Sequence, residues 1–503
     1  MVPDNVSCTQ PTEDDDMLSK LPSDVLASIL EKLSLRDVIR AGVVSRRWRR
    51  LPRQLLRLVV DFVDYLPGEE EYFDEDNTQE LIDVAVSGDA LSAAGDKMLE
   101  VATALLGSMA AGQHQLPVCA MSFPLRHNYM SLGRLLDDAI AGGKVRVAEL
   151  TIFTTCALEI DYDDDHQKRK TFRAMVGYGR RFRKLFDGCP AAFGGLTRLT
   201  MENMTVREAV LDDILTNCTR LELLCLEACD AGRPTTLWRV RHARLTDLRI
   251  SYCVFGAVHL VWLPRLERFA YRYCEYHTHD PLSFGHVPHL TTLTISKNHV
   301  DEGTTVKLSQ ILANTAVQDL RLNLGGKDIW VQQEPPKRLT YIFRHLKYLK
   351  VRNVHEECSL TRIMFLLQAA PFLKELYIKL WDHECNMQHD ENKNCFTMVK
   401  NVPRDAATDF KHSSLTLITI QGFYSTEDIL VTYICHLVRA AINLEEIRMR
   451  KNAACEDCGS AKTGFPKTGK EIECLIKRVN NGVLAITSYP VSMLLNLILE
   501  AES

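Results

Sequence analysis

The sequence predicts an α/β protein: a small three-helix unit at the N-terminus, then a solenoid of short repeats whose strands form one curved parallel sheet. Three observations carry this. The pattern apolar-x-x-apolar-x-apolar recurs twelve times between residues 118 and 449. Residues 21–58 instead place apolar side chains at helical spacing. The 503-residue chain is 46% hydrophobic and 25% charged, the balance of an ordinary globular protein, so both regions have core material to spend.

The elements follow in order. Residues 1–16 hold few apolar groups and four consecutive acids, Glu13 to Asp16, and are expected to be disordered. Pro22-Ser23-Asp24 reads as a helix start, and Val25, Leu26, Ile29, Leu30 and Leu33 follow on one side. Ser34 and Leu35 interrupt, and Asp37 opens a second run from Val38 to Val44. Ser45 can cap a third helix, with Trp48, Leu51 and Leu55 on one face. Three short helices are too few to bury a core alone, so this unit needs cover from a partner or a neighbouring domain. Arg46, Arg47, Arg49, Arg50 and Arg53 flank Trp48; they are expected to be solvated or to face acidic residues of a protein. The net charge of -5 argues against nucleic acid and anionic membrane as partners. Residues 69–76 read as an acidic loop and 80–112 as an alanine-rich helix, so 63–115 form a linker with a helix.

The repeats run over 116–452. Their first positions recur every 21–29 residues, apart from intervals of 49 and 42. That period and pattern are those of leucine-rich repeats, in which one short strand and a return segment stack on their neighbours. The 49-residue interval leaves room for a degenerate repeat near Leu185. The 42-residue interval suits a polar loop around 386–394. Asp163 to Lys170 reads as an exposed charged loop. Cys229, Cys253 and Cys274 each follow a strand and are expected to be small buried residues. Segment 453–503 is expected to cap the last repeat. Residues flanking the apolar ones should face the open side of the sheet. Ten are basic and six acidic, so this face carries a positive excess in an acidic chain. Arg268, Arg272, Arg321, Lys350 and Arg352 form its expected central patch, suited to an acidic or phosphorylated target.

Leu21 to Leu51, LPSDVLASILEKLSLRDVIRAGVVSRRWRRL, closely resembles the F-box. The rest resembles plant F-box proteins with leucine-rich repeats, in which a first strand follows the F-box directly, here over Leu58 to Phe62. Ile420-Gln421-Gly422-Phe423, then Tyr433 to Ala441 and Asn443-Leu444-Glu445 resemble the FBD-type region of that group, over about 412–452. The resemblance assigns 17–62 to the F-box. It implies a substrate-recognition adaptor of an SCF-type E3 ubiquitin ligase, docking on a Skp-type adaptor and through it a cullin, with the repeats holding a target protein. The docking set it implies is Leu21, Pro22, Ile29, Leu30, Leu33, Leu35, Val38, Val44 and Trp48. The rival reading is a leucine-rich-repeat scaffold or ligand-binding protein uncoupled from a ligase.

No catalytic or cofactor signature stands out in the sequence. Cys455-x-x-Cys458 lacks a second pair at zinc spacing. Gly464 to Glu471 nearly reads as a phosphate loop, but Glu471 stands where a hydroxyl is needed. His383, Cys385, His389 and Cys395 lie in the expected polar loop. The expectation is therefore a protein with no cofactor, no resident metal and no enzymatic activity. No charge-free apolar run reaches the length of a membrane span, and the N-terminus is unlike a signal or transit peptide. Sixteen cysteines without framework spacing then suggest reduced thiols, in the cytoplasm or nucleus.

Overall fold

The computed structural model describes residues 21–30, 56–66, 88–108, 115–154, 165–233, 236–274, 281–296, 306–326, 330–354, 360–380, 410–422, 428–452 and 496–500, with 470, 471 and 477. The chain divides into two compact units, residues 1–205 with 216–221, and residues 206–215 with 222–503.

In the first unit, α1 spans Ser23–Leu30 and buries Leu26 completely. Strands β1 (Arg57–Asp61), β2 (Leu116–Pro124), β3 (Val145–Phe153) and β4 (Leu196–Glu202) follow. β1 pairs parallel with β2, β2 with β3 and β3 with β4. The repeat ladder thus begins at β1, before the first repeat that the pattern marks. The helix in the linker is α2, Gly88–Ser108, and α3 spans Tyr129–Ala141.

Three expectations are corrected here, the last of them one of register. Among the described residues no strand lies between β3 and β4, which pair directly; the 49-residue interval holds helices α4 (Asp165–Gly188) and α5 (Pro190–Gly194). Leu185 is on α4, buried beside Phe182, Phe186 and Phe193, whose rings pack edge-on at 4.9–5.9 Å across the two helices. The stretch read as a loop up to Lys170 is helical from Asp165, with His166, Arg169 and Lys170 exposed on its first turns. The third concerns β2 and β3. Cys119 and Ala148, not Val118 and Val147, fill the first interior positions of β2 and β3; both are 0% exposed, and the valines are half-buried. The reason is a shift where Ala148 pairs with Leu196 but Glu149 pairs with Arg198.

The second unit repeats one design. Its main ladder is β5 (Leu223–Glu227), β7 (Asp247–Ser251), β9 (Arg268–Arg272), β11 (Thr292–Ser296), β12 (Asp319–Gly326), β13 (Tyr348–Val354), β14 (Glu375–Leu380), β15 (Leu417–Gln421), β16 (Glu446–Arg450) and β17 (Asn496–Glu500), all parallel. Every apolar triplet that the sequence marks from Leu245 to Met449 is buried. Stacked in register, Leu248, Phe269, Leu293, Leu320, Leu349, Leu376, Ile418 and Ile447 make one continuous interior row. β17 adds a further strand to β16, so the C-terminal segment extends the ladder.

A tight turn precedes many of these strands. The N–H of the first apolar residue bonds the carbonyl three residues back, as in Leu266 to Leu263, Leu346 to Phe343 and Leu444 to Ala441. In two repeats a histidine side chain takes that place. His242 Nδ1 accepts from the Leu245 N–H at 2.9 Å, and His412 Nδ1 from the Leu415 N–H at 3.1 Å. After the strands the chain repeatedly enters the left-handed region two residues past the last apolar position, at Ala228 (φ 48), Tyr252 (φ 54), Tyr273 (φ 52), Asn353 (φ 51) and Gly422 (φ 82). The next position points inward. There Cys229, Cys253 and Cys274 stack, and the Cys253 thiol donates to the Leu226 carbonyl of the preceding strand at 3.4 Å. Burial pushes the Cys253 thiol far above its ordinary range, so it is a packed donor.

The returns come in two kinds. Between β5 and β11 they are strands, β6 (Leu237–Arg241), β8 (Ala257–Trp262) and β10 (Leu282–His286), paired as a second parallel sheet with β8 in the middle. Between later strands they are helices α7 (Leu308–Ile311), α8 (Pro336–Phe343), α9 (Leu360–Ala369) and α10 (Asp428–Ala440). Helix α6, Glu208–Asn217, precedes β5. The polar loop expected at 386–394 and the Cys455–Cys458 pair lie outside the described residues.

Candidate functional site

Alternation along each strand leaves outward rows that the pairing register aligns. In the second unit the middle row carries Arg249, Ala270, Thr294, Arg321, Lys350, Tyr377, Thr419 and Arg448. Two residues earlier stand Asp247, Arg268, Thr292, Asp319, Tyr348, Glu375, Leu417 and Glu446 in the first row. A third row holds Ser251, Arg272, Ser296, Asn323 and Arg352; Lys379, Gln421 and Arg450 hold the equivalent place on β14 to β16.

Three acid–arginine pairs on this face lie within a strand. Asp319 binds Arg321 at 2.7 Å and Glu446 binds Arg448. Asp247 binds Arg249 on its own strand and Arg268 on the next, each at 2.9 Å. Burial pushes the Asp247 carboxyl up, but hydrogen bonds from the two guanidinium groups outweigh this and hold it below its ordinary value. Arg268 also reaches Glu267 at 3.6 Å. Of the five residues expected to form the central patch, Arg268 and Arg321 are therefore each paired with a carboxylate, Asp247 and Asp319.

β13 breaks the rule. Tyr348 stands where its neighbours carry Asp319 and Glu375, so Lys350 has no carboxylate on its own strand. Its ammonium sits 4.3 Å from the centre of the Tyr377 ring, a cation–π contact. The Tyr377 hydroxyl donates to Gln421 Oε1, which fixes the ring. Burial, then the nearby charges of Arg352 and Arg321, hold the Lys350 ammonium below the usual lysine value; Asp319 opposes the shift and Lys379 adds to it. Among the described residues neither Arg352 nor Lys379 forms an ion pair with a carboxylate. Arg321, Lys350 and Arg352 are thus brought together, and Lys379 joins them. The sequence placed Lys379 on this face but outside the central patch.

Arg272 lies on β9, with β11 standing between it and β12. It is exposed, beside the stacked rings of Tyr252 and Tyr273, whose centroids are 5.0 Å apart. Asn323 Nδ2 donates to the Tyr273 hydroxyl at 3.0 Å and ties this stack to β12.

In the first unit the N-terminal residues expected to dock a partner are partly visible. Pro22 is exposed, Leu21 and Ile29 are half-buried, and Leu30 ends α1. Leu33, Leu35, Val38, Val44 and Trp48 lie outside the described residues. Among the described residues, no three His, Cys, Asp or Glu side chains are arranged to hold a metal, and no helix is long and apolar enough to cross a membrane.

Comparison with known proteins matches the two regions separately. Residues 18–60 match the F-box domain model. Residues 189–495 match the model described as At1g61320/AtMIF1, LRR domain. The stretch read as FBD-like falls inside that second match. A curated relative, the F-box protein At1g80960 of Arabidopsis thaliana, is 50% identical over 46 residues. That similarity spans 9% of this chain and 10% of the relative's length. An F-box over 18–60 and a repeat match covering more than half of the chain establish the kinship: the chain is an F-box protein with leucine-rich repeats and belongs to the At1g61320/AtMIF1 LRR-domain family.

Proposed function

We propose that this protein is the substrate-recognition adaptor of an SCF-type E3 ubiquitin ligase, with the F-box docking on a Skp-type adaptor and the repeats holding a target protein. The observation that carries the reading is the joining of an F-box match at 18–60 to a leucine-rich-repeat ladder in one chain. The two parts divide the labour. An F-box is too small to bury its own apolar residues, and a partner's groove supplies their cover. Each Leu or Ile so covered contributes about 1.5–3 kcal/mol before association costs. The repeats offer an outward face whose side chains take no part in the core. In this role the chain carries no catalytic group of its own; ubiquitin transfer belongs to the other subunits of the ligase. The protein works where such ligases meet reduced, soluble targets, in the cytoplasm or the nucleus.

The test is co-purification with a Skp-type adaptor, comparing the wild type with Leu21→Ala/Pro22→Ala. The adaptor is expected with the wild type and lost from the variant. Equal recovery from both, or recovery from neither, supports a repeat scaffold uncoupled from a ligase.

A further inference from the structure

We infer that Arg321, Lys350, Arg352 and Lys379, on three adjacent strands of the open face, form a receptor for one phosphoryl group on an extended segment of the target protein. This deepens the adaptor reading and rests on it.

The argument begins with pairing. On β7, β12 and β16 an acid two residues before the arginine forms an ion pair with it. On β13 that acid is replaced by Tyr348, while two cations, Lys350 and Arg352, stand on the same outward side. Arg321 lies level with Lys350 on the strand before, and Lys379 follows the Ile378 that pairs with Val351 on the strand after. Asp319, bound to Arg321, is the acid that acts on Lys350, and it leaves a surplus of cations. Glu375 is exposed in the first row, beside Tyr348.

The dimensions select the ligand. Neighbouring strands are about 4.8 Å apart and residues two apart on one strand are roughly 6.7 Å apart. The four cations therefore converge within the reach of a single small dianion. A carboxylate satisfies one or two such groups. A phosphoryl group brings a charge of about -1.5 to -2 and three acceptor oxygens. The Arg352 guanidinium provides a planar fork for it, Arg321 offers the Nη1 that its pairing with Asp319 leaves over, and the lysines provide point charges. Lys350 is already immobilised over the Tyr377 ring, so ordering it costs little on binding. The mutual repulsion of the cations in the free protein is relieved when the dianion arrives.

The experiment uses the full chain co-purified with its Skp-type adaptor. Fluorescence anisotropy measures binding of three degenerate peptide pools that differ at one fixed position: phosphoserine, serine or glutamate. The phosphoserine pool is expected to bind at least about tenfold more tightly than the others and to be competed by inorganic phosphate. Lys350→Gln/Arg352→Gln is expected to remove that preference, while Arg268→Gln, on the same face but on β9 with β11 between it and the cluster, keeps it. Thermal melts of the variants verify folding, and Lys379→Gln alone gives a smaller loss of the same preference. Equal binding of the glutamate and phosphoserine pools overturns the inference. So does an unchanged preference in the double variant, absence of binding by any pool, or tighter binding of a random-sequence RNA through the same residues. Failure here with the adaptor still co-purifying leaves the ligase reading standing. Phosphoserine binding that survives Leu21→Ala/Pro22→Ala while the adaptor is lost separates the two sites.

Discussion

The repeats between β5 and β11 and those after β11 build the same inner ladder with different backs. The first group measures 21–24 residues from one leading leucine to the next, the second 27–29 apart from the long insertion. The short ones return as β6, β8 and β10, the long ones as helices. The cause is reach. A strand advances about 3.3 Å per residue and a helix 1.5 Å, so five extended residues cover the distance that takes a helix about eleven. Removing a few residues from a repeat forces the return to stretch. The energetic consequence follows. A helix closes its backbone hydrogen bonds within its own repeat. A return strand must find them in the next, as Trp238 pairs with Val258, and Val258 with Leu282. The strand-backed repeats are therefore tied to one another along two sheets, and the helix-backed repeats along one sheet and through isolated bridges such as Val306 with Val331.

This contrast can be broken at its core first. Trp238 on β6 is 0% exposed and stacks on Phe255 at 5.7 Å. Trp238→Ala is expected to cost about 3–5 kcal/mol in a urea melt. Hydrogen exchange should show the damage spreading to β8 and β10. Leu339→Ala, in the core beneath α8, is expected to cost about 2–5 kcal/mol, with lost protection concentrated in its own repeat. Equal spread from both would remove the distinction.

A smaller test adds bulk. A Cβ at Gly285 on β10 would lie 2.6 Å from the Val261 carbonyl oxygen on β8. Gly285→Ala is expected to cost about 1–3 kcal/mol, because the obstacle is backbone that the second sheet cannot move cheaply.

The turns sharpen the comparison through pH. His412 opens a helix-backed repeat; its Nδ1 accepts from Leu415 and its Nε2 lies 2.8 Å from the Ala370 carbonyl. Burial holds its pKa below the ordinary 6.5, with the Ala370 bond opposing. A neutral folded histidine means that the unfolded chain binds the proton first. Its contribution to stability is complete above pH 6.5 and declines as the pH falls below that value. Thermal melts from neutral pH downward should show this decline, and His412→Gln should shallow it.

The smallest effect is a gain. Ala228 adopts a left-handed conformation that costs an L-residue about 1–2 kcal/mol, against about 0.5–1 kcal/mol of backbone entropy when glycine replaces it. Ala228→Gly is expected to stabilise the strand-backed group slightly. Gly422 already holds the equivalent turn between β15 and α10.

Much of this was legible in the sequence. The apolar triplets from Leu196 to Met449 were, because spacing fixes which side chains turn inward. The returns were harder, since a run such as Ala257 to Trp262 fits either period when it is short. The one-residue error at Val118 and Val147 arose because a register shift near Ala148 leaves no mark in composition. At the candidate site, the cations were readable as a group but not as individuals. The Asp247–Arg249 and Asp319–Arg321 pairs lie two apart and were visible in principle. The pairing of Arg268 with Asp247 needs the ladder itself, because 21 residues separate them.

The turn that opens each repeat has one further bearing. By resetting the hydrogen-bonding phase before every strand, it insulates each unit from length changes in the one before. Whole repeats can then be copied, lost or lengthened during evolution while all surviving side chains keep their inward or outward assignment. Such a scaffold can be edited one repeat at a time, and a single position, such as Tyr348 where the neighbouring strands carry Asp319 and Glu375, changes how many cations on the outward face find a carboxylate.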